Sequence, residues 1–495
     1  MSKCKSWYLS GSAIVLAAGL MAGCGSNGGM TGTQTSSNPQ MGQVVTFGTD
    51  APVCDVESFV ATITSASLVP QGGGTPVPLV SSTDPATIDF ARLTDFTNIL
   101  SAANVTAATY SQLTLTLTSP QLVALNTATT PPSPQMIPAT LTATNFTINI
   151  NPPLVVSSNT TSGLTFDFNL RTSVQVDGSG QVTGTVDPQI TVTPNTLSGT
   201  TVGEADSLYG VVQSVSTTNP PSGFAGSFML TVADGTGQTF TILTDSSTAF
   251  EGDGVASLTD LTASTFVEVD AIVNTSGQII AQTVDAEEQT SPSSQKSAFM
   301  GKIIGVTRDG SGNATAFTLL VNSEVPSLNG TVPLHSGLSV TLTNNTKYFI
   351  NWQHWNRAAF TFSPQTVGVA EKVAVFGTLG SGASPTLTAG HVFLRPRNVL
   401  GNFTALQAAG SDGKTGGFAM VPCGALFGGT AITVITYPDT DFDGVSGLVN
   451  LTPAPTLNTR GDLFYEQTSG HTASGATWTA PTWVMQAREV HQLPN

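Results

Sequence analysis

The sequence predicts an all-β chain, an antiparallel β-sandwich followed by three small β-barrel-like repeats. Three observations carry that expectation. Charged residues make up only 9% of the chain, and Thr and Val are abundant, which suits extended, hydrogen-bonded structure better than solvated helices. Polar–apolar alternation recurs, most clearly in Ser111 to Thr118, S-Q-L-T-L-T-L-T, which places Leu113, Leu115 and Leu117 on one face. Finally, the C-terminal part repeats. Gly210-Val-Val-Gln-Ser-Val, Gly301-Lys-Ile-Ile-Gly-Val and Gly401-Asn-Phe-Thr-Ala-Leu open three segments of similar layout.

Taken in order, the chain opens with a targeting segment over residues 1–23. Lys3 and Lys5 give it a positive start, Trp7 to Ala22 is largely apolar, and small residues lead into Cys24. The apolar run is shorter than the about 20 residues a spanning helix needs, so it reads as a signal peptide. Residues 24–42 hold Gly, Ser, Asn, Thr and Gln and almost nothing apolar, the composition of a flexible tether. Residues 43–197 form the expected sandwich. Its strand signals are Val44 to Phe47, Val56 to Val69, Ser111 to Thr118, Asn145 to Ile150, and Leu164 to Leu170, the last with Leu164, Phe166 and Phe168 inward. Leu93 to Ala103 is the one helical candidate, a single short turn.

Asn195 to Ser207 reads as a Gly/Thr/Ser linker, and the repeats then occupy residues 208–289, 298–397 and 398–495. Each opener is followed by a turn and a second strand, a third strand that meets a fourth, and a closing hairpin. Five or six strands in so short a segment suggest a small barrel. Phe250, Phe349 and Phe442 fall at nearly equivalent places and are expected to point inward. No linker separates the second and third segments near residue 398.

Leu20-Met21-Ala22-Gly23-Cys24 resembles the lipobox of bacterial lipoproteins, with Leu20 one place earlier than the family pattern prefers. The resemblance implies cleavage before Cys24, diacylation of its thiol and acylation of the new N-terminus. Gly25 after the cysteine implies an outer-membrane destination. The first folded unit resembles domain of unknown function 4382, through Gly48-Thr49-Asp50-Ala51-Pro52, Ile88-Asp89, Tyr110, Phe166-Asp167-Phe168 and Asp187-Pro188-Gln189-Ile190. The first repeat resembles domain of unknown function 5666, best in Thr248-Ala249-Phe250-Glu251-Gly252 and Phe266-Val267-Glu268-Val269. The first resemblance implies a fold and an envelope location and brings no activity; the second is to another uncharacterised family.

Cleavage before Cys24 would remove Lys3 and Lys5 and no acid, leaving 13 basic residues against 31 acidic ones, a charge of −18. Such a surface repels nucleic acid and anionic headgroups, so membrane attachment is expected through the lipid alone. Cys54 and Cys423 fit either a disulfide in an oxidising envelope or two buried thiols. The five histidines are scattered and none has H-x-x-x-H spacing. Ala408 to Thr415 matches a permissive phosphate-loop pattern, but Gly416-Gly417-Phe418 leads into a strand where that loop needs a helix. Asp439, Asp441 and Asp443, with Gly444 and Asn450, resemble a calcium loop. The bidentate Glu of that loop is absent, however, and an outward strand face beside an inward Phe442 would give the same letters. Trp352 and Trp355, in Asn351-Trp-Gln-His-Trp-Asn356, offer indole faces for a sugar or a protein partner, or for packing on their own barrel. No catalytic constellation is legible. The expected role is binding or display in the envelope, with a protein or polysaccharide partner; the alternative is a carbohydrate-binding or adhesive lipoprotein.

Overall fold

The computed structural model describes residues 40–493, apart from 51–52, 95–96, 127, 179, 196–198, 234–237, 253, 290–295, 326–331, 351–359, 383, 452–455 and 468–471. The expected targeting segment and most of the expected tether therefore lie outside the described residues. The chain from residue 39 onward forms one compact unit, and the regular structure of its described residues is almost wholly β-strand.

The first body is a sandwich of two sheets over one core. One sheet runs in the order Ile190–Pro194, Thr161–Phe168, Met41–Thr49, Asn98–Thr106. The other centres on Val56–Pro70 and Ala108–Asn126. Leu113, Leu115 and Leu117 from the second sheet meet Leu164, Phe166 and Phe168 from the first, as their alternation predicts. Phe90 stacks on Phe168 at 4.5 Å, with Phe59 5.2 Å from the same ring.

Two expectations are corrected here. The sandwich is mixed, because Met41–Thr49 pairs in parallel with Thr161–Phe168. The single helical turn expected over Leu93 to Ala103 falls earlier. A 3₁₀ turn spans Phe90–Thr94, and Asn98–Thr106 is an edge strand against Met41–Thr49. Burying Ile99 and Val105 in the strand outweighs a weak helical preference.

Three barrels follow. The first has strands Thr201–Ser216, Gly226–Val232, Thr239–Thr244, Ala249–Gly252, Thr265–Asn274 and Ile279–Gln289. The second has Lys296–Arg308, Ala314–Val325, Gly337–Thr341, Lys347–Ile350, Lys372–Leu379 and Thr386–Arg395. The third has Arg397–Ala409, Gly416–Pro422, Ile432–Thr436, Asp441–Asp443, Thr456–Glu466 and Thr482–Gln492. In all three the sheet order is third, second, first, fifth, sixth, fourth, and a parallel pairing of third with sixth closes the ring. Leaving out the short fourth strand, this is a five-stranded Greek-key barrel of the OB type. The first barrel's opening strand starts at Thr201, inside the stretch expected to be linker, and pairs with the strand ending at Asn274.

Repeated residues explain the repeated geometry. A Cβ on Gly210 would lie 2.2 Å from the Thr231 carbonyl oxygen, and one on Gly301 1.8 Å from that of Leu320. The opening glycines thus let the second strand approach closely. Before each fourth strand stands a threonine: Thr248, Thr346 and Thr440. Each hydroxyl accepts the N–H three residues earlier and donates at 2.8–2.9 Å to an alanine carbonyl of the sixth strand (Ala281, Ala389 and Ala487). The residue two beyond that threonine turns inward: Phe250, Tyr348 and Phe442 pack on their own barrel cores. Phe349 is therefore one residue out of register with the expected inward position. It stacks on Phe393 at 4.8 Å, in a cluster that joins the outer faces of the first two barrels, because a one-residue step on a strand changes faces.

Every body touches the other three. Phe47 of the sandwich fills the space beside Gly203 of the first barrel. Phe266 and Phe376 meet edge to face at 5.0 Å between the first and second barrels. Phe360 lies between Phe464 and Trp478 of the third. Glu371 of the second barrel accepts the backbone N–H of Tyr465 at 3.0 Å, which couples these two barrels across the boundary that lacks a linker.

Candidate functional site

The remaining contacts converge on one junction. Cys54, Asp55 and Glu57 come from the start of a sandwich strand, and Arg92 from the 3₁₀ turn. Lys302 and Lys372 come from adjacent strands of the second barrel. Arg397 opens the third barrel, whose segment from Cys423 to Phe427 completes the wall. Together they line a cavity of about 80 Å³. A smaller cavity of about 10 Å³ shares Met300 and Lys372 with it and adds Arg395, Arg460 and Glu268. Six of the chain's 15 Lys and Arg residues thus line these two spaces in a chain of net charge −16.

Its polar groups are held in place. Lys302 Nζ pairs with Glu57 Oε2 at 2.7 Å. Arg92 Nη2 donates to Ser323 Oγ at 2.9 Å. The Arg397 guanidinium donates to the Asn398 and Ala370 carbonyls and lies over the Phe427 ring. Lys302 and Lys372 are direct cross-strand partners. Asp55, at φ 61°, accepts the Ala425 N–H at 2.7 Å; burial pushes its carboxyl up and that hydrogen bond pulls it down. Beside it, Cys54 and Cys423 form a disulfide with 5.6 Å between their Cα atoms and a sequence separation of 369. The structure thereby settles the open pairing, and the bond ties the sandwich to the last barrel.

Around the smaller cavity, Glu268 forms a buried ion pair with Arg395. Burial opposes its charge, but Arg395, then a hydrogen bond from Ser207 and the charges of Arg488 and Lys372, hold the carboxyl well below its usual range. Asp285 is pushed up to about 7 and Asp206 to about 6, in both cases chiefly by burial, with Arg395 and Arg460 respectively pulling the other way. At the sandwich–second barrel seam, His335 Nε2 lies 3.3 Å from Asp89 Oδ2, and burial lowers the imidazole's pKa despite that carboxylate.

The structure separates the sites expected from sequence. Cys24, Trp352 and Trp355 lie outside the described residues. Asp441 and Asp443 are exposed on the short fourth strand of the third barrel, and Asp443 faces His491 at 3.4 Å. Asp439 precedes that strand in a turn, and the Asn450 amide bonds Ser446. Among the described residues no group of three or more His, Cys, Asp or Glu is arranged to hold a metal. Gly410 to Thr415 is a hairpin turn pinned by Asp412, which accepts the N–H groups of Lys414 and Thr415. The junction itself is missed by sequence reading, since its residues come from distant positions and form no motif. Lys302, two residues into the expected strand after Met300, carried the one available signal: a charge where neighbours alternate inward.

No helix among the described residues is long and apolar enough to cross a membrane. No curated protein matches the chain. A solved structure described as drosophila Unr CSD456 aligns with 58% of this chain and 97% of its own at 9% identity, with a TM-score of 0.14, too low to support a structural argument. Residues 41–183, most of the sandwich, match the family model described as Domain of unknown function (DUF4382) and form a domain of that family.

Proposed function

We propose that the protein is a lipid-anchored envelope protein, held through acylated Cys24 in the outer membrane, with a binding or display role and no catalysis of its own. The Cys54–Cys423 bond carries this reading. A structural disulfide persists in oxidising compartments and is rare in the cytosol. It sits downstream of a sequence that resembles a lipobox and supports export. Four mutually packed bodies, preceded in sequence by a stretch of tether-like Gly/Ser/Asn composition, suit a display role. The barrels' likeness to domain of unknown function 5666 belongs to the same reading; their common connectivity supports a shared origin by duplication. Fractionation tests the anchor. The wild type should partition with membranes into detergent, and Cys24→Ala should accumulate as uncut precursor or be released. A wild type found wholly soluble and cut at another residue would refute it.

A further inference from the structure

We propose that the seam where the three barrels meet is a pH-sensitive latch, tightest in mild acid and progressively loosened towards neutral pH and above, with buried carboxyls of the first barrel as its trigger. This goes beyond the display reading and does not depend on the anchor. Placement of charge is the first argument. Glu268 and Asp285 stand directly opposite each other on neighbouring strands of the first barrel and are 6% and 4% exposed; two carboxylates so placed repel each other. Asp270 accepts the Ser207 N–H at 2.8 Å, next to Asp206. The cations come from the other two barrels, and each already answers a carboxylate. Arg395 of the second barrel is ion-paired with Glu268, and Lys372, its cross-strand partner, acts on the same group. In the third barrel Arg488 lies 3.5 Å from Asp462, and Arg460 lies 3.6 Å from Glu489 and donates to Ser207 Oγ at 3.3 Å. Asp206, Asp270 and Asp285 therefore draw on these same arginines at longer range, with Glu204 and Glu251 adding negative charge nearby. Space is the second argument. The cavity between these groups, about 10 Å³, has room for no more than about one water, so ionised carboxyls cannot be hydrated while the seam is shut. The sign follows. Burial holds Asp206, Asp270, Asp285 and Asp462 above the ordinary carboxylate range, whereas Glu268, against burial, is held below it by Arg395. The stability that the four raised groups give is present below about pH 4, where solvated carboxyls also carry protons, and is lost as pH rises through the folded values. That from the Glu268–Arg395 pair is lost only in stronger acid, so mild acid favours closure on both counts.

The test uses the purified full-length protein with its disulfide intact. Met300 lines the seam and is 8% exposed, so slow oxidation of its thioether by hydrogen peroxide reports how often the seam opens. Its rate is read by peptide mass spectrometry at pH 5 and pH 8. Met136, 69% exposed, gives the rate of an accessible thioether, and Met420, fully buried in the core of the third barrel, reports global unfolding. Oxidation of Met300 relative to Met136 should rise at least about tenfold at pH 8, the effect of one carboxyl whose proton is held a unit above its solvated range. Asp285→Asn, which keeps the shape of the protonated acid but cannot ionise, should remove most of that rise, and Asp206→Asn should reduce it. Two variants keep the test open should one fail to fold. Equal Met300 rates at the two pH values would overturn the proposal, as would a rise that both variants share in full with the wild type. So would an equal rise at Met420, which would mark global destabilisation and not opening of the seam.

Discussion

Opening the Cys54–Cys423 bond perturbs the whole assembly at one point. The cysteines are 369 residues apart, so the bond closes a loop through nearly all the folded chain. In the chain-entropy account a loop of that length restricts the unfolded state by an amount worth about 6 kcal/mol. That is comparable with the about 5–15 kcal/mol by which a typical domain is stable. With about 2 cal/mol/K of unfolding entropy per residue, the 457 residues from 39 to 495 lose about 1 kcal/mol for each degree of warming near Tm. The bond should therefore be worth about 6 °C. The assay is calorimetric melting of the wild type with and without reductant, beside a Cys54→Ser/Cys423→Ser variant. The reduced wild type and the variant should melt alike, both lower than the oxidised protein. Local opening should appear first at the seam of Asp55 with Ala425, as faster hydrogen exchange there. Melting temperatures agreeing within about 1 °C across all three samples would show that the denatured chain is not restrained as this reasoning holds. Alkylation of two thiols in the untreated native protein would remove its premise.

Other outcomes rest on single contacts. Thr440→Val leaves the Tyr437 N–H and the Ala487 carbonyl without their buried partner and should cost about 1–3 kcal/mol in urea unfolding; an unchanged midpoint would deny the threonine its role as clasp. Phe376→Ala, between the first and second barrels and 1% exposed, should cost about 3–5 kcal/mol, read by the same unfolding curves. Asp285 is raised to about 7, so the folded state binds a proton that the unfolded state releases near pH 4; stability is full below that and falls as pH rises towards 7. Asp285→Asn should flatten the decline, and equal slopes for variant and wild type between pH 4 and 8 would contradict the assignment. Calcium or a chelator should leave Tm unchanged, and Asp441→Ala should behave like wild type in both, since the acidic run is an exposed strand face.

How much was legible in the sequence depends on which interactions are local. Alternation is a property of consecutive residues, so the Leu113, Leu115 and Leu117 face, the inward Phe166 and Phe168 and the all-β class could all be read from short windows. Repeats could be read because the opening glycines answer to the same close approach three times over. Pairing direction could not be read: parallel and antiparallel neighbours of Met41–Thr49 present the same alternating face. Nor could the junction, whose charges come from the sandwich, the second barrel and the third and share no spacing. The error at Phe349 shows where the boundary falls. Choosing the Phe over the Tyr in Lys347-Tyr-Phe-Ile350, to match Phe250 and Phe442, aligned the repeats by residue type. Counting two places from the clasping threonine, as in Thr248 to Phe250 and Thr440 to Phe442, gives Tyr348 instead, since the threonine's bonds to the sixth strand set the register of the fourth. A small polar residue with two backbone partners fixes a strand more firmly than a large apolar one, which can be buried on either face once a neighbouring body covers the outer side. Phe349 is such a case: the outer face of its barrel is covered by the first barrel, so a residue that breaks the inward pattern still finds a core.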